Sequence, residues 1–372
     1  MSDFGIGEAR VNHDFIPTKE DLEKGLEEKN NNEDEINDEE KRGFLLQIKE
    51  FEEVLVPLIK KYCERSDSEQ LDSVALEEII KKLEELDFLT LESYKKMNKT
   101  NTDPQFVHDL DNIFNVALGY RQMVLLYRDK QKNVKRYLKN FLYPALSQSL
   151  ILEDLLSRGE DNDIRPEIEK RSLKLGNIRA VLEKSSQIFS VGGANEKISF
   201  DKFDDNILKE DEEVLTVPGV IVNSLLNMIR NSDKKRIDAS FIEVVCKRDG
   251  DEIVFQVIDD GHGMRRQHLE KDAVVDYYET SEDVPFTEDS GYIFDKGQKS
   301  SGTASSGLGI AGLDRRVVSS GGRLRVASRR KFTEGQTASQ VNFDTNQKKE
   351  EMELSFNQST IFEIRIPITS KK

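Results

Sequence analysis

The chain has 372 residues, a net charge of −16 and a pI near 5.0, which argues against a general nucleic-acid or anionic-membrane binder. Charged residues make up 34% and mean hydropathy is −0.61, so much of the length is surface, linker or exposed helix around two or three domains. No apolar run reaches membrane-spanning length, the N-terminus lacks a signal-peptide pattern, and Cys63 and Cys246 have no metal-ligand or redox spacing, so a cytoplasmic protein is expected.

Residues 1–40 are polar and acidic, most of all over 27–40, and are expected to form a disordered tail. A helical input region is expected over 41–102, with one apolar stripe at Phe44, Ile48, Phe51, Leu55 and Leu58 and another at Leu76, Ile79, Leu83 and Leu86. Asp103-Pro104 is a helix start, with Asp as cap and Pro in the first turn. Phe106, Leu110, Ile113, Ala117, Tyr120 and Val124 then alternate spacings of four and three, a coiled-coil or bundle seam. His108 falls opposite that seam, with Asp109 beside it and Asn112 one turn further on the same side.

A polar turn at 128–133 leads to a second seam at Val134, Leu138, Phe141, Ala145, Leu152 and Leu155. The two helices predict an antiparallel hairpin over 103–158, four-helical when doubled by a second chain. Pro144 inside the second helix predicts a local bend. Ser157–Arg165 is the linker to a C-terminal domain over 159–372, which opens with a helix expected at 166–189.

Short strands near 197–200 and 214–217 precede a helix in which Asn223, Asn227 and Asn231 lie four apart on one face. A carboxamide oxygen is a hard neutral ligand suited to Mg²⁺, and Arg230 and Lys234 lie within reach of phosphate oxygens. Two alternating strands flank Asp249-Gly250, a hairpin signal, and the second ends in Asp259 followed by Gly261 and Gly263. A carboxylate at a strand end can accept from an exocyclic amine such as that of adenine, and the glycines let backbone approach a ligand. Residues 265–305 read as a long polar loop. Gly302–Gly312, containing Gly307, Leu308 and Gly309, opens an amphipathic stretch and presents amide groups suited to phosphate. A strand at 323–328, a disordered polar insertion at about 331–357 and a closing strand at 360–367 complete an α/β sandwich. The whole is expected to be α+β.

The Asn helix, the Asp-x-Gly-x-Gly turn and the Gly-rich loop, in this order, resemble the three nucleotide boxes of the GHKL ATPases, which include histidine kinases, Hsp90, MutL and type II topoisomerases. Asn227-Met228-Ile229-Arg230 is similar to the kinase form, and His108-Asp109-x-x-Asn112 resembles the phosphoacceptor box of two-component sensor histidine kinases. The resemblance implies that ATP is held by Asn227, Arg230, Asn231, Lys234, Asp259, Gly261, Gly263, Gly307, Leu308 and Gly309, with Mg²⁺ on Asn227. It implies a mobile lid over 265–305. His108 is the implied nucleophile, Asp109 the group that orients it and accepts its proton, and Asn112 the residue that positions water for phosphatase action. The implied protein is a homodimeric histidine kinase whose partner is the receiver domain of a response regulator. Two other readings stand beside it: an ATPase acting as a conformational switch or serine kinase, and a pseudokinase scaffold.

Overall fold

A computed structural model describes residues 36–64, 73–90, 93, 96, 104–128, 130–158, 164–166, 168–189, 197–232, 239–261, 263, 312–329, 340–344 and 358–371. The chain is α+β: helices lead, and a mixed six-stranded sheet with its own helices follows.

Helix α1 (Asp38–Glu50) begins within the segment expected to be a disordered tail. Asn37 explains the difference. Its side chain accepts from Glu40 N at 2.9 Å and Glu40 accepts from Asn37 N at 3.2 Å, a reciprocal cap that makes a helix start of an acidic run. After one π-helical turn, Phe51–Leu55, the chain continues as α2 (Val56–Glu64), and α3 (Ser73–Glu85) follows. The predicted stripes are buried at Phe44, Ile48, Phe51, Leu55, Leu76, Ile79 and Leu83. Phe51 meets Phe88 and Phe141 edge-on, with centroids 5.8 and 6.2 Å apart, and so fixes these helices to the hairpin.

The hairpin consists of α4 (Pro104–Leu126) and α5 (Gln131–Ser157). The seam residues Ile113, Ala117, Val124, Val134, Leu138, Phe141, Ala145 and Leu152 are buried. Arg121 donates to the Leu83 carbonyl at 2.8 and 3.1 Å, placing its cation at the C-terminal end of α3. Pro144 lies within α5, which runs on without interruption. Proline removes the N–H that the Asn140 carbonyl would receive, but Asn140 is exposed to water.

The helix expected over 166–189 is shorter: α6 spans Leu175–Phe189. Arg171–Ser172 is instead a short strand, β1, paired with β4 (Leu215–Thr216), and Leu173 N donates to Val214 O at 2.9 Å. The Arg171 side chain is held by Glu52 and Glu153, so long-range pairing overrides the local helical pattern.

The main sheet has the order β2-β5-β6-β9-β7-β8, formed by Ile198–Ser199, Ile242–Asp249, Glu252–Asp259, Thr360–Pro367, Arg323–Arg329 and Gln340–Asp344. Among these six strands β2 and β5 pair in parallel and the other neighbours antiparallel. Strand β8 falls inside the polar insertion expected to be disordered. Its backbone register sets Val341 beside Ser328 and Phe343 beside Val326, so pairing with β7 makes a strand of this stretch. Two-residue strands β3 (Glu212–Glu213) and β10 (Thr369–Ser370) pair separately.

One face carries the rows Val244, Val257, Phe362, Val326 and Cys246, Phe255, Ile364, Leu324, all buried. Against it lie α7 (Pro218–Ser232) and α8 (Leu313–Ser319). Every residue of α7 from Pro218 to Ile229 is buried, because the sheet covers one side and α5 covers another. Among the described residues no helix is long and apolar enough to cross a membrane.

Candidate functional site

Helix α7 and strand β6 bring Asn227 and Asp259 to the same end of the domain. Ser232, five residues beyond Asn227 on α7, donates to Asp259 Oδ2 at 2.8 Å. Asp259 Oδ1 accepts from Gly261 N at 3.0 Å, closing a turn directly after the strand. These two bonds orient the Asp259 carboxylate, an acceptor-only group, at the strand end. The group is buried, 3% exposed, at the end of an apolar strand. Gly263 follows with φ +75°, a conformation that strains any residue with a Cβ.

Thr360 stands opposite Asp259 on β9, and Ser328 opposite Thr360 on β7. Their hydroxyls lie 3.0 Å apart, and Ser328 Oγ also donates to Ser359 O at 3.1 Å. The inner face of the sheet is thus polar at this one end. Sequence reading missed Ser232, Thr360 and Ser328; the strand register at 360 was the signal that could have found Thr360.

Asn227 is 5% exposed. Its Nδ2 donates to Asn223 O at 2.8 Å and to Asn223 Oδ1 at 3.1 Å. Both amide hydrogens are therefore engaged within the helix, and Oδ1 is the end left for a ligand. A hard neutral oxygen of this kind fits Mg²⁺, which takes few protein ligands and keeps water or phosphate in its other positions. Among the described residues no cluster of three His, Cys, Asp or Glu side chains suits a metal. Arg230 and Asn231 lie on the last turn of α7, both half-buried.

Beneath α7 runs a buried ionic layer from α5. Glu153 accepts from Gly219 N at 2.7 Å, in the first turn of α7, where a carboxylate also meets the positive end of the helix dipole. Asp154 accepts from Asn223 Nδ2 at 2.5 Å and pairs with Arg158 at 2.8 Å and Arg316 at 3.2 Å. Burial pushes the Asp154 carboxyl up, but the two arginines and the Asn223 bond outweigh it, and Asp154 is held below the usual carboxylate range. Arg171 bridges Glu153 at 2.6 Å and Glu52 at 2.8 Å. Burial, with Glu153 nearby, raises Glu52 to about 7. Arg316 is brought down to about 10 by burial, partly offset by Asp154, and stays a cation at neutral pH.

His108, Asp109 and Asn112 occupy backbone positions in α4, but their side chains lie outside the described residues. So do Lys234, Gly307, Leu308 and Gly309, and the expected lid. Gly312 and α8, which follow the Gly-rich loop, pack beside α7. The thiols of Cys63 and Cys246 are buried and free, and burial raises both, Cys63 to about 11.

Residues 217–370 match the family described as histidine kinase-, DNA gyrase B- and HSP90-like ATPases. No curated protein matches the chain. Among solved structures the chain is similar to a mycobacterial sensor histidine kinase, MprB, with 14% identity and a TM-score of 0.32 over 54% of this chain and 99% of that one. Full-length ShkA in complex with AMPPNP gives 17% identity and a TM-score of 0.35, over 76% of this chain and 46% of that one. The Acinetobacter baumannii histidine kinase AdeS gives 13% and 0.31, over 70% and 97%. The assignment rests on the matched segment, which contains Asn227, Asp259 and the strands and helices that hold them. Over residues 217–370 the chain is thus similar to the histidine kinase-, DNA gyrase B- and HSP90-like ATPases.

Proposed function

We propose that the chain is an ATP-dependent protein-histidine kinase that phosphorylates His108 and passes the phosphoryl group to an aspartate of a response regulator. The observation that supports the reading is that helix α7, which bears Asn227, is tied to Asp259 by the Ser232 hydrogen bond inside the matched ATPase domain. Asp259 selects the adenine amine by accepting its hydrogen. Asn227 offers Oδ1 to Mg²⁺, which when bound neutralises charge on the phosphates. Arg230, Asn231 and Lys234 hold phosphate oxygens, and the amides of Gly307, Leu308 and Gly309 cradle them before α8. Gly261 and Gly263 keep the base pocket free of Cβ atoms.

The His108 imidazole attacks the γ-phosphorus, the bond to the bridging oxygen breaks, and ADP leaves with that electron pair. Asp109 orients the ring and takes its proton. Such a transfer asks mainly for placement and charge stabilisation, which suits a site with few catalytic side chains. Doubling of the α4–α5 hairpin into a dimeric bundle fits its seam. Calorimetry of the full chain with ATP, with Mg²⁺ or with EDTA, tests the reading. Saturable binding strengthened by Mg²⁺ is expected, and no binding under either condition would overturn it.

A further inference from the structure

We propose that Asp154, on the helical hairpin, is a positioning residue for Asn227: acting through Asn223, it fixes which end of the Asn227 amide faces the nucleotide. The inference rests on the kinase reading above and deepens it. Asp154 itself touches neither metal nor nucleotide.

A carboxamide has a donor end and an acceptor end of nearly the same shape, so its surroundings decide which faces a ligand. For Asn227 the distinction is decisive, because Oδ1 can ligate a cation and Nδ2 repels one. The structure orders these amides as a relay. Asp154, an acceptor only, takes a hydrogen from Asn223 Nδ2 at 2.5 Å. Asn223 Oδ1 is thereby turned toward Asn227 and accepts from its Nδ2 at 3.1 Å. The Asn223 carbonyl takes the second hydrogen of that Nδ2 at 2.8 Å, which completes the assignment.

The relay keeps its polarity only while its origin has no hydrogen to give. Arg158 at 2.8 Å and Arg316 at 3.2 Å hold Asp154 as a carboxylate although it is 1% exposed. The three elements meeting at Asp154 are α5 of the hairpin, α7 with the proposed metal ligand, and α8 after the Gly-rich loop. A shift of α5 relative to α7 would therefore act on the metal position without any change in the nucleotide pocket itself.

The test compares the ATP affinity of the full chain with Mg²⁺ and with EDTA, the ratio being the metal enhancement. In Asp154→Asn the buried Arg316, on the Oδ1 side, keeps the amide oxygen, while the partly exposed Arg158 turns to solvent from the Oδ2 side that it shares with Asn223; the amide hydrogen then faces Asn223 and inverts the relay. The metal enhancement should fall about tenfold, as it does when groups behind a metal ligand are altered, while affinity in EDTA stays within about twofold. Asn223→Ala, which leaves Asp154 and both arginines paired, should give a fall in the same direction; it carries the test if Asp154→Asn does not fold. The double variant Asp154→Asn with Asn223→Asp exchanges amide and carboxylate and restores an acceptor toward Asn227. It should recover most of the enhancement, which a merely structural role would not predict. Wild-type enhancement in Asp154→Asn and Asn223→Ala, or equal losses in Mg²⁺ and EDTA without recovery in the double variant, would overturn the relay. A wild-type chain that binds ATP with no metal enhancement would instead overturn the metal assignment of Asn227, and the relay with it.

Discussion

Gly219 N–H donates to Glu153 Oε2 at 2.7 Å, and this contact sets how closely α7 lies on α5. A Cβ at position 219 would collide with the Leu150 carbonyl oxygen and lie 2.8 Å from Asp154 N and 2.9 Å from Glu153 Cβ. The nearest atoms are backbone, which cannot swing aside. Gly219→Ala should therefore destabilise by about 1–3 kcal/mol, as overpacking does. Gly119, within α4, has open space where its Cβ would stand, and Gly119→Ala should stabilise by about 0.5–1 kcal/mol. Urea unfolding of both variants measures the contrast; equal effects would contradict the close approach.

The Glu52–Arg171–Glu153 layer predicts a pH dependence of stability. Burial raises both, Glu52 to about 7 with Glu153 nearby, and Glu153 with Asp154 nearby. Between about pH 4.5 and 7 the folded chain retains a proton that the unfolded chain has released, so stability from this pair falls as pH rises through that window. Glu52→Gln should flatten the slope there. Arg171→Met, which leaves two carboxylates buried without their cation, should cost about 3–5 kcal/mol at neutral pH. Denaturation midpoints across the window check both, and an unchanged slope in Glu52→Gln would contradict the raised Glu52 carboxyl.

Asp259→Asn and Asn227→Asp should each weaken productive ATP use, for different reasons. An amide at 259 can present a donor toward the adenine amine where an acceptor is needed. A carboxylate at 227 adds charge beside the phosphates and changes the metal dependence. Calorimetry separates them: the first variant loses affinity in EDTA as well as in Mg²⁺, and the second changes chiefly the Mg²⁺ response. Wild-type behaviour in both would remove the two residues from the site.

Asn112 and Asp109 should divide the two directions of phosphoryl chemistry. An amide can donate to and accept from one water, whereas the proton of His108 calls for a carboxylate. Asn112→Ala should keep autophosphorylation and lose dephosphorylation of the regulator, while Asp109→Asn should chiefly damage the kinase step. Decay of a phosphorylated regulator with each variant decides it; equal decay with wild type and Asn112→Ala would exclude Asn112.

The matched domain was legible because its signals are local: the spacing of Asn223, Asn227 and Asn231, or of Asp259, Gly261 and Gly263, proposed for the nucleotide site, is complete within a few residues. The buried layer was not legible. Asp154 and Asn223 are 69 positions apart and Arg171 and Glu52 are 119 apart, and no periodicity announces a charge that will be buried with its partner. Ile168 and Leu173 suit a helix, yet the segment pairs as strand because Leu215 and Thr216 lie beside it. Gln340–Asp344 reads as polar insertion, and only its place beside β7 makes it a strand. Asn37 and Glu40 form a cap inside a run that acidity alone would class as tail.

The central claim is that phosphate from ATP reaches His108. Incubating the full chain with γ-labelled ATP and Mg²⁺, beside His108→Gln, tests it most directly. The wild type should carry a label that is acid-labile and alkali-stable, as a phosphoramidate is, and His108→Gln, which still binds ATP, should carry none. Label that persists on His108→Gln, or that survives acid, would contradict it.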